Sequence, residues 1–154
     1  MPATVRAMLS EKEDLEELGR YAFSRLQDRL SGLSDEEFAW QPAPGVATIA
    51  WRLDHIAELL AEERNATWLG VPGRPGPGPA ADAASALLAL DASFEVWTAV
   101  LSAVPASSLP EPVGPVAGPY ADSTRRAFVL HVLDELIHHG AEVALVRDLW
   151  AAQP

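Results

Sequence analysis

The 154-residue chain contains no cysteine. Disulfides, thiolate metal sites and a cysteine nucleophile are therefore excluded, and any metal ion must be bound by His, Asp or Glu. Basic residues are also scarce, since 11 Lys and Arg stand against 22 Asp and Glu and give a formal net charge of −11. A charge of this sign repels phosphate backbones and anionic lipid headgroups. We therefore expect no nucleic acid and no membrane as partner.

Long apolar runs are absent as well. The longest stretch without a charged residue, residues 96–110, has 15 residues and contains prolines, whereas a membrane-spanning helix needs about 20 apolar residues. The amino-terminal segment, residues 1–13, lacks an apolar core of the length that a secretory signal requires. We expect a cytoplasmic protein. With 49% apolar side chains, residues 1–154 are expected to form a single domain with its own core.

Apolar residues recur at the three- and four-residue spacing of amphipathic helices in much of the chain. Ser10 and Glu13 form a capping-box pattern that predicts the start of the first helix, and Ser34 with Glu37 predicts a short helical turn. The last helix is predicted to begin near Asp122, Ser123 or Thr124, each a suitable cap. The four predicted helices cover about residues 10–30, 48–70, 82–103 and 122–150.

Two connections are rich in proline and glycine, at residues 70–79 and 104–123. Proline lacks an amide donor and glycine costs backbone entropy, so neither segment continues a helix. No segment shows the alternating pattern of a strand. Four helices joined by such connections predict an all-α fold, an antiparallel four-helix bundle.

The four histidines lie in two places: His55 on the second predicted helix, and His131, His138 and His139 on the last. Helical positions four apart are offset by only ~40°, so His131, Glu135 and His139 project from one face. Burial of such a face is costly unless its polar atoms find partners, and a metal ion is such a partner. If the two helices pack with these faces inward, His55 completes a set of two imidazoles and one carboxylate.

Other interpretations of these residues stay open. His55 also fits a hydrogen-bonded core histidine, and Glu135 a solvated carboxylate. A carboxylate-bridged di-iron centre needs two Glu-x-x-His units, but Glu135 to His138 is the only one in the chain, so we rank it below a mononuclear site. Glu58 and Glu62 lie near the His55 face and are candidate hydrogen-bond acceptors for that imidazole. The sequence does not assign roles to His131 and His138.

Two strings, TIAWRLDHIAELLAEERN and HVLDELIHHGAEVALVRDLW, cover residues 48–65 and 131–150. They resemble the signature helices of the DinB-like metalloprotein superfamily, in the branch that includes mycothiol-dependent maleylpyruvate isomerase. The resemblance implies a four-helix bundle that binds a divalent metal through one His on the second helix and a His or Glu and a His, four apart, on the last. In this chain these ligands are His55, Glu135 and His139.

The same resemblance implies a thiol-dependent reaction. The implied metal is zinc, with nickel or another divalent ion as alternative, and the implied co-substrate is mycothiol or a similar small thiol. The activity would then be that of a transferase or isomerase acting on a small electrophile, in a protein that forms a homodimer. Two alternatives remain: a metal-dependent hydrolase using the same site, and a metal-binding or ligand-binding helical module without catalysis.

Overall fold

The computed structural model describes residues 3–154, and its regular structure there is helical apart from one isolated bridge between Pro112 and Thr124. Two 3₁₀ segments, Ala106–Ser108 and Pro115–Tyr120, lie in the second proline-rich connection. The predicted all-α four-helix bundle is confirmed, with α3 and α4 together forming the second of its helices. The α-helices are α1 (Ala3–Leu30), α2 (Asp35–Ala39), α3 (Ile49–Ala61), α4 (Glu63–Leu69), α5 (Ala83–Ala103) and α6 (Arg125–Ala151).

Most helix starts follow from local capping. The side-chain oxygens of Thr48, Asp82 and Thr124 each accept a hydrogen bond from the backbone amide three residues further on. Such a bond satisfies an amide that has no partner inside the helix. The predicted start of the first helix at Ser10 is wrong, because α1 already begins at Ala3. Ser10 therefore lies inside α1 and not at its start, so it does not act as a helix cap.

The second predicted helix is interrupted at Glu62, which has φ −60° and ψ 132° and separates α3 from α4. The interruption frees carbonyl oxygens at the end of α3. The buried side chain of Asn65 binds two of them, since its Nδ2 atom lies 2.7 Å from the carbonyl oxygen of Leu59 and 3.4 Å from that of Leu60. The bend is thus stabilised by one side chain inside the core.

Contacts between the helices establish their directions. α1 and α5 are antiparallel, because Lys12 reaches the carbonyl of Ser102 at 2.8 Å and Gln27 reaches Asp91 at 2.9 Å. α3 and α6 are also antiparallel, whereas α1 runs parallel to α6 and α3 runs parallel to α5. The predicted antiparallel arrangement therefore holds for the first two pairs and not for the other two. Because α3 and α5 are parallel, the connection from α4 to α5 must return along α3. Residues 71–80 do so, because Gly73 lies against Ala66, Gly76 lies against Ala61, and the amide of Ala80 lies 3.4 Å from Oδ1 of Asp54.

α5 is the helix, within residues 3–154, that is long and apolar enough to cross a membrane by length and composition. Its buried residues include Leu90, Trp97 and Val100, which belong to the hydrophobic core of the bundle. Its charged residues Asp91 and Glu95 are exposed. α5 thus packs one apolar face into the core and exposes its charged residues. This arrangement is consistent with the expectation of a protein outside the membrane.

Candidate metal centre

The antiparallel packing of α3 against α6 brings together the three residues that the sequence predicted as a cluster. His55 projects from α3, and Glu135 and His139 project from consecutive turns of α6. The Oε2 atom of Glu135 lies 3.3 Å from Nε2 of His139 and 3.8 Å from Nε2 of His55. One nitrogen or oxygen atom from each of the three lies within 4.8 Å of the other two.

These separations match the donor set of a divalent metal site. Ligand atoms that each lie about 2.1 Å from a tetrahedral metal ion are about 3.4 Å apart. The two distances at Glu135, 3.3 and 3.8 Å, are close to that value. The side chains of His55 and Glu135 are 35% and 29% exposed to solvent. One side of the cluster is therefore open. A metal bound by these three atoms would have free positions for water or substrate.

A second carboxylate orients the ring of His139. The Nδ1 atom of His139 lies 2.9 Å from Oε2 of Glu142, while Nε2 faces Glu135. Glu142 also accepts a hydrogen bond from Arg52 of α3 and lies 3.1 Å from Nε2 of His138. A carboxylate that accepts from the far nitrogen of a ligating histidine is a recurrent feature of metal sites, where it sets the tautomer and the ring orientation.

Sequence reasoning missed Glu142 and placed the acceptors elsewhere. Glu58 and Glu62, the candidates for His55, are exposed residues, and the structure shows no hydrogen bond from His55 to either one in the part of the chain that it describes. The spacing of the two residues could have indicated this contact, because Glu142 is three positions after His139 and such positions are neighbours on a helix. Arg52, which holds Glu142 from the other helix, had no signal in the sequence.

The environment of His139 favours its neutral form. Burial lowers the pKa of His139, since the charged form loses hydration, and His55 lowers it further through charge repulsion. Glu135 raises the pKa of His139 through its charge and its hydrogen bond, without reversing the shift. The net pKa lies below the ordinary value, so the imidazole stays unprotonated to a lower pH. The neutral imidazole is the form that binds a metal.

Trp51 covers one side of the cluster. Its ring is stacked on His55 with centroids 5.0 Å apart and an interplanar angle of 9°, and its centroid lies 6.3 Å from that of His139. The other side of the cluster opens onto a cavity of about 590 Å³ that His55 and Glu135 help to line. His131 lies on the wall of this cavity and not in the three-residue cluster.

The remainder of the cavity wall comes from two sources. One is the α3–α4 region, in which Glu58 lies on α3, Glu62 lies at the break and Arg64 lies on α4. The other is the proline-rich connection, which contributes Gly76 and Pro77. The cluster therefore lies in the wall of a recess large enough for a small molecule.

The chain was compared with models of protein families and with known proteins. The model of the DinB superfamily matches residues 20–143, a range that contains all three residues of the cluster. The chain belongs to the DinB superfamily. No curated protein matches it. A solved structure of a conserved protein from Enterococcus faecalis is similar, with 16% identity, a TM-score of 0.70, and coverage of 92% of this chain and 97% of that one. At this identity the likeness shows the fold alone.

The DinB superfamily binds metals, and the cluster is a candidate site for one in this member. The predicted membership is thus confirmed at the level of the superfamily. The branch that includes mycothiol-dependent maleylpyruvate isomerase stays a prediction, because the match does not reach that level. The ligand roles of His55, Glu135 and His139 stay predictions as well, although their convergence is a feature of the structure.

A second group of donor atoms overlaps the first in this DinB-like bundle. His138, His139 and Glu142 also offer three donor atoms within 4.8 Å of one another. Arg52 is bound to Glu142, however, and a cation at that carboxylate opposes a metal there. The His138 side chain is 58% exposed and is paired with Glu142, outside the first cluster. The group around Glu135 is therefore the better metal site. Because the two groups share His139, they do not supply the two separate units that a di-iron centre needs within residues 3–154.

Proposed function

We propose that His55, Glu135 and His139 bind one divalent metal ion, zinc in the first instance and nickel as an alternative, and that this centre is the reactive site. The observation that carries the proposal is the convergence of three nitrogen and oxygen donor atoms from two helices at the wall of an open cavity. Glu142 holds His139 with Nε2 directed at Glu135. Membership of a metal-binding superfamily supports the same assignment.

We propose further that the reaction is the transfer of a small thiol, mycothiol or a similar compound, to a small electrophile. A metal with two imidazole ligands and one carboxylate ligand keeps Lewis acidity and lowers the pKa of a coordinating thiol towards neutrality. The chain has no cysteine, so the sulfur must come from a co-substrate. A cavity of about 590 Å³ lies beside His55 and Glu135 and could receive reactants at the cluster. The thiol would lose its S–H proton to solvent, and its sulfur would bond to carbon of the electrophile, either by displacing a leaving group that departs as an anion or by adding to a carbon–carbon double bond that takes up a proton at its other carbon.

The metal assignment is tested first, through the metal content of protein purified without chelator. We expect one equivalent of metal per chain in the wild type and a loss of metal in His139→Ala. His131→Ala is the matched control, because His131 is a histidine of the same helix that lies outside the cluster. It should keep its metal. Sub-stoichiometric metal in the wild type, or equal content in all three proteins, would contradict the assignment.

The reaction is tested by thiol consumption in the presence of electrophiles such as monochlorobimane, with and without mycothiol. We expect turnover that requires both thiol and metal and that His139→Ala abolishes. Turnover of an activated ester by water, without any thiol, would identify the hydrolase instead. Stoichiometric metal with neither activity would identify the non-catalytic module.

A further inference from the structure

A second cavity, of about 430 Å³, lies between α4, the 3₁₀ segment Pro115–Tyr120 and the first turns of α6. Three aromatic rings line it. The ring of Trp68 lies 4.8 Å from that of Phe128 and 6.2 Å from that of Tyr120, measured between centroids. Flat apolar surfaces on several sides favour a flat apolar group between them.

This aromatic cavity, as we call the space lined by Trp68, Tyr120 and Phe128, adjoins the recess of the metal centre. Arg64 and His131 line both spaces. The two spaces are therefore neighbours that share Arg64 and His131 in their walls.

Arg64 lies where the aromatic cavity meets the recess of the metal centre. Its guanidinium carbon lies 5.1 Å from the ring centroid of Trp68 and 5.6 Å from that of Phe128. A guanidinium group at such distances from ring faces gains cation–π attraction and can still donate its N–H groups to another partner.

The hydrogen-bonding capacity of Arg64 is only partly used within residues 3–154. Its Nη2 atom is paired with Oε2 of Glu62 at 2.9 Å, whereas its buried Nε atom has no hydrogen-bond partner there. An unpaired buried N–H group of a cation is costly. A carboxylate beside Arg64 is favoured, because a hydrogen bond from a guanidinium group to a charged acceptor is stronger than one to a neutral acceptor.

We propose that the aromatic cavity binds a small carboxylate with an apolar ring, with the ring against Trp68 and Tyr120 and the carboxylate on Arg64. A neutral molecule of the same shape offers Arg64 a weaker acceptor than a carboxylate does, so both the charge and the ring contribute to binding. It follows that the electrophile of the metal centre is an apolar-ring carboxylate. That last step rests on the proposed function, whereas the binding site itself does not.

The test is calorimetric titration of chelator-treated wild-type protein with two probes, 3-phenylpropanoate and the neutral 3-phenylpropan-1-ol. We expect the carboxylate to bind at least about tenfold more tightly, since a hydrogen bond to a charged group contributes more than the ~1.4 kcal/mol that corresponds to tenfold. Arg64→Gln should reduce this ratio to about one. Tyr120→Ala should weaken both probes, because it removes an apolar wall.

A matched control is available on α1, where Arg25 lies over the ring of Tyr21 with its guanidinium carbon 5.5 Å from the centroid. Arg25→Gln removes an arginine with a similar aromatic contact but lies outside the aromatic cavity, and it should leave both affinities unchanged. Tyr120 is 62% exposed. Tyr120→Ala therefore tests the site even if Arg64→Gln does not fold.

Three results would overturn the proposal: no saturable binding of 3-phenylpropanoate to the wild type, a ratio unchanged by Arg64→Gln, or affinities unchanged by Tyr120→Ala. The binding measurement needs no metal, so its failure is distinct from the failure of the metal centre. A protein that binds the carboxylate but takes up no metal would retain this site and lose the proposed reaction.

Discussion

The Nδ1 atom of His139 lies 2.9 Å from Oε2 of Glu142. The opposite ring nitrogen faces Glu135 at 3.3 Å. The imidazole of His139 thus lies between two carboxylates of its own helix, Glu135 one turn before it and Glu142 one turn after it. The carboxylate at Nδ1 is itself bound by Arg52 from α3, so the two helices jointly fix the direction of Nε2.

Glu142→Gln should weaken metal binding without removing any of the three cluster residues. An amide is a poorer acceptor than a carboxylate, so the His139 ring loses both orientation and basicity, and such changes cost about 10- to 100-fold in metal affinity. Competition with a chromophoric chelator would measure the effect. Glu58→Gln is the control, since Glu58 is an exposed residue of the same cavity. Equal affinities for all three proteins would contradict the role of Glu142.

Metal removal should lower the melting temperature. An ion that binds only the folded state stabilises it by about 2.7 kcal/mol at 100 times its dissociation constant. For a chain of 154 residues each kcal/mol corresponds to roughly 2–4 °C. Thermal unfolding with and without chelator would show the shift. His55→Ala should melt at the same temperature in both conditions, and a chelator effect that persists in this variant would argue against the cluster.

Acid should destabilise the metal-free protein through His139. The folded pKa of this group lies below its ordinary value of 6.5. The unfolded chain therefore binds the proton first, and the stabilising contribution is present above about pH 6.5 and is lost as the pH falls below it. Urea unfolding between pH 7.5 and 5 would measure this loss, and His139→Gln should reduce it. His131→Gln is the control at an exposed position. A profile that His139→Gln leaves unaltered would contradict the prediction.

Gly70→Ala should destabilise the fold more than Gly32→Ala. Both glycines have positive φ, +69° and +75°, so alanine costs about 1–2 kcal/mol at either position. A Cβ atom at position 70 would also lie 3.1 Å from Nη2 of Arg125, whereas one at position 32 would meet nothing within 4 Å. Chemical unfolding of the two variants would show the difference. Equal losses would mean that Arg125 moves aside without cost.

Most of the fold could be predicted from local pattern. Thr48 and Asp82 mark helix starts because a cap needs only the amide three residues away. Ser10 and Glu13 have the same pattern within α1, where the chain continues as helix on both sides. The break at Glu62 depends on Asn65, whose side chain binds freed carbonyls inside the core. Hydrophobic spacing carries no information about such a contact.

The three-residue cluster could be predicted for a related reason. Two of its members share one helix face, and histidine is rare enough for His55 to be conspicuous. Glu142 and Arg52 could not be predicted, because their relationship depends on the register between α3 and α6. The aromatic cavity was beyond sequence reasoning as well, since Trp68 and Phe128 meet only after the chain has folded.

Residues 71–80 run back along α3 because α3 and α5 share a direction, and Gly76 and Pro77 of this segment form part of the recess beside the metal centre. The donor atoms, in contrast, are carried by the core helices. The outer boundary of the recess can consequently diverge by insertion or substitution among relatives while the register of α3 against α6 is preserved. Because the donor atoms and this part of the recess wall belong to different segments, substrate specificity can change in the connection while the helices that position the donor atoms stay the same.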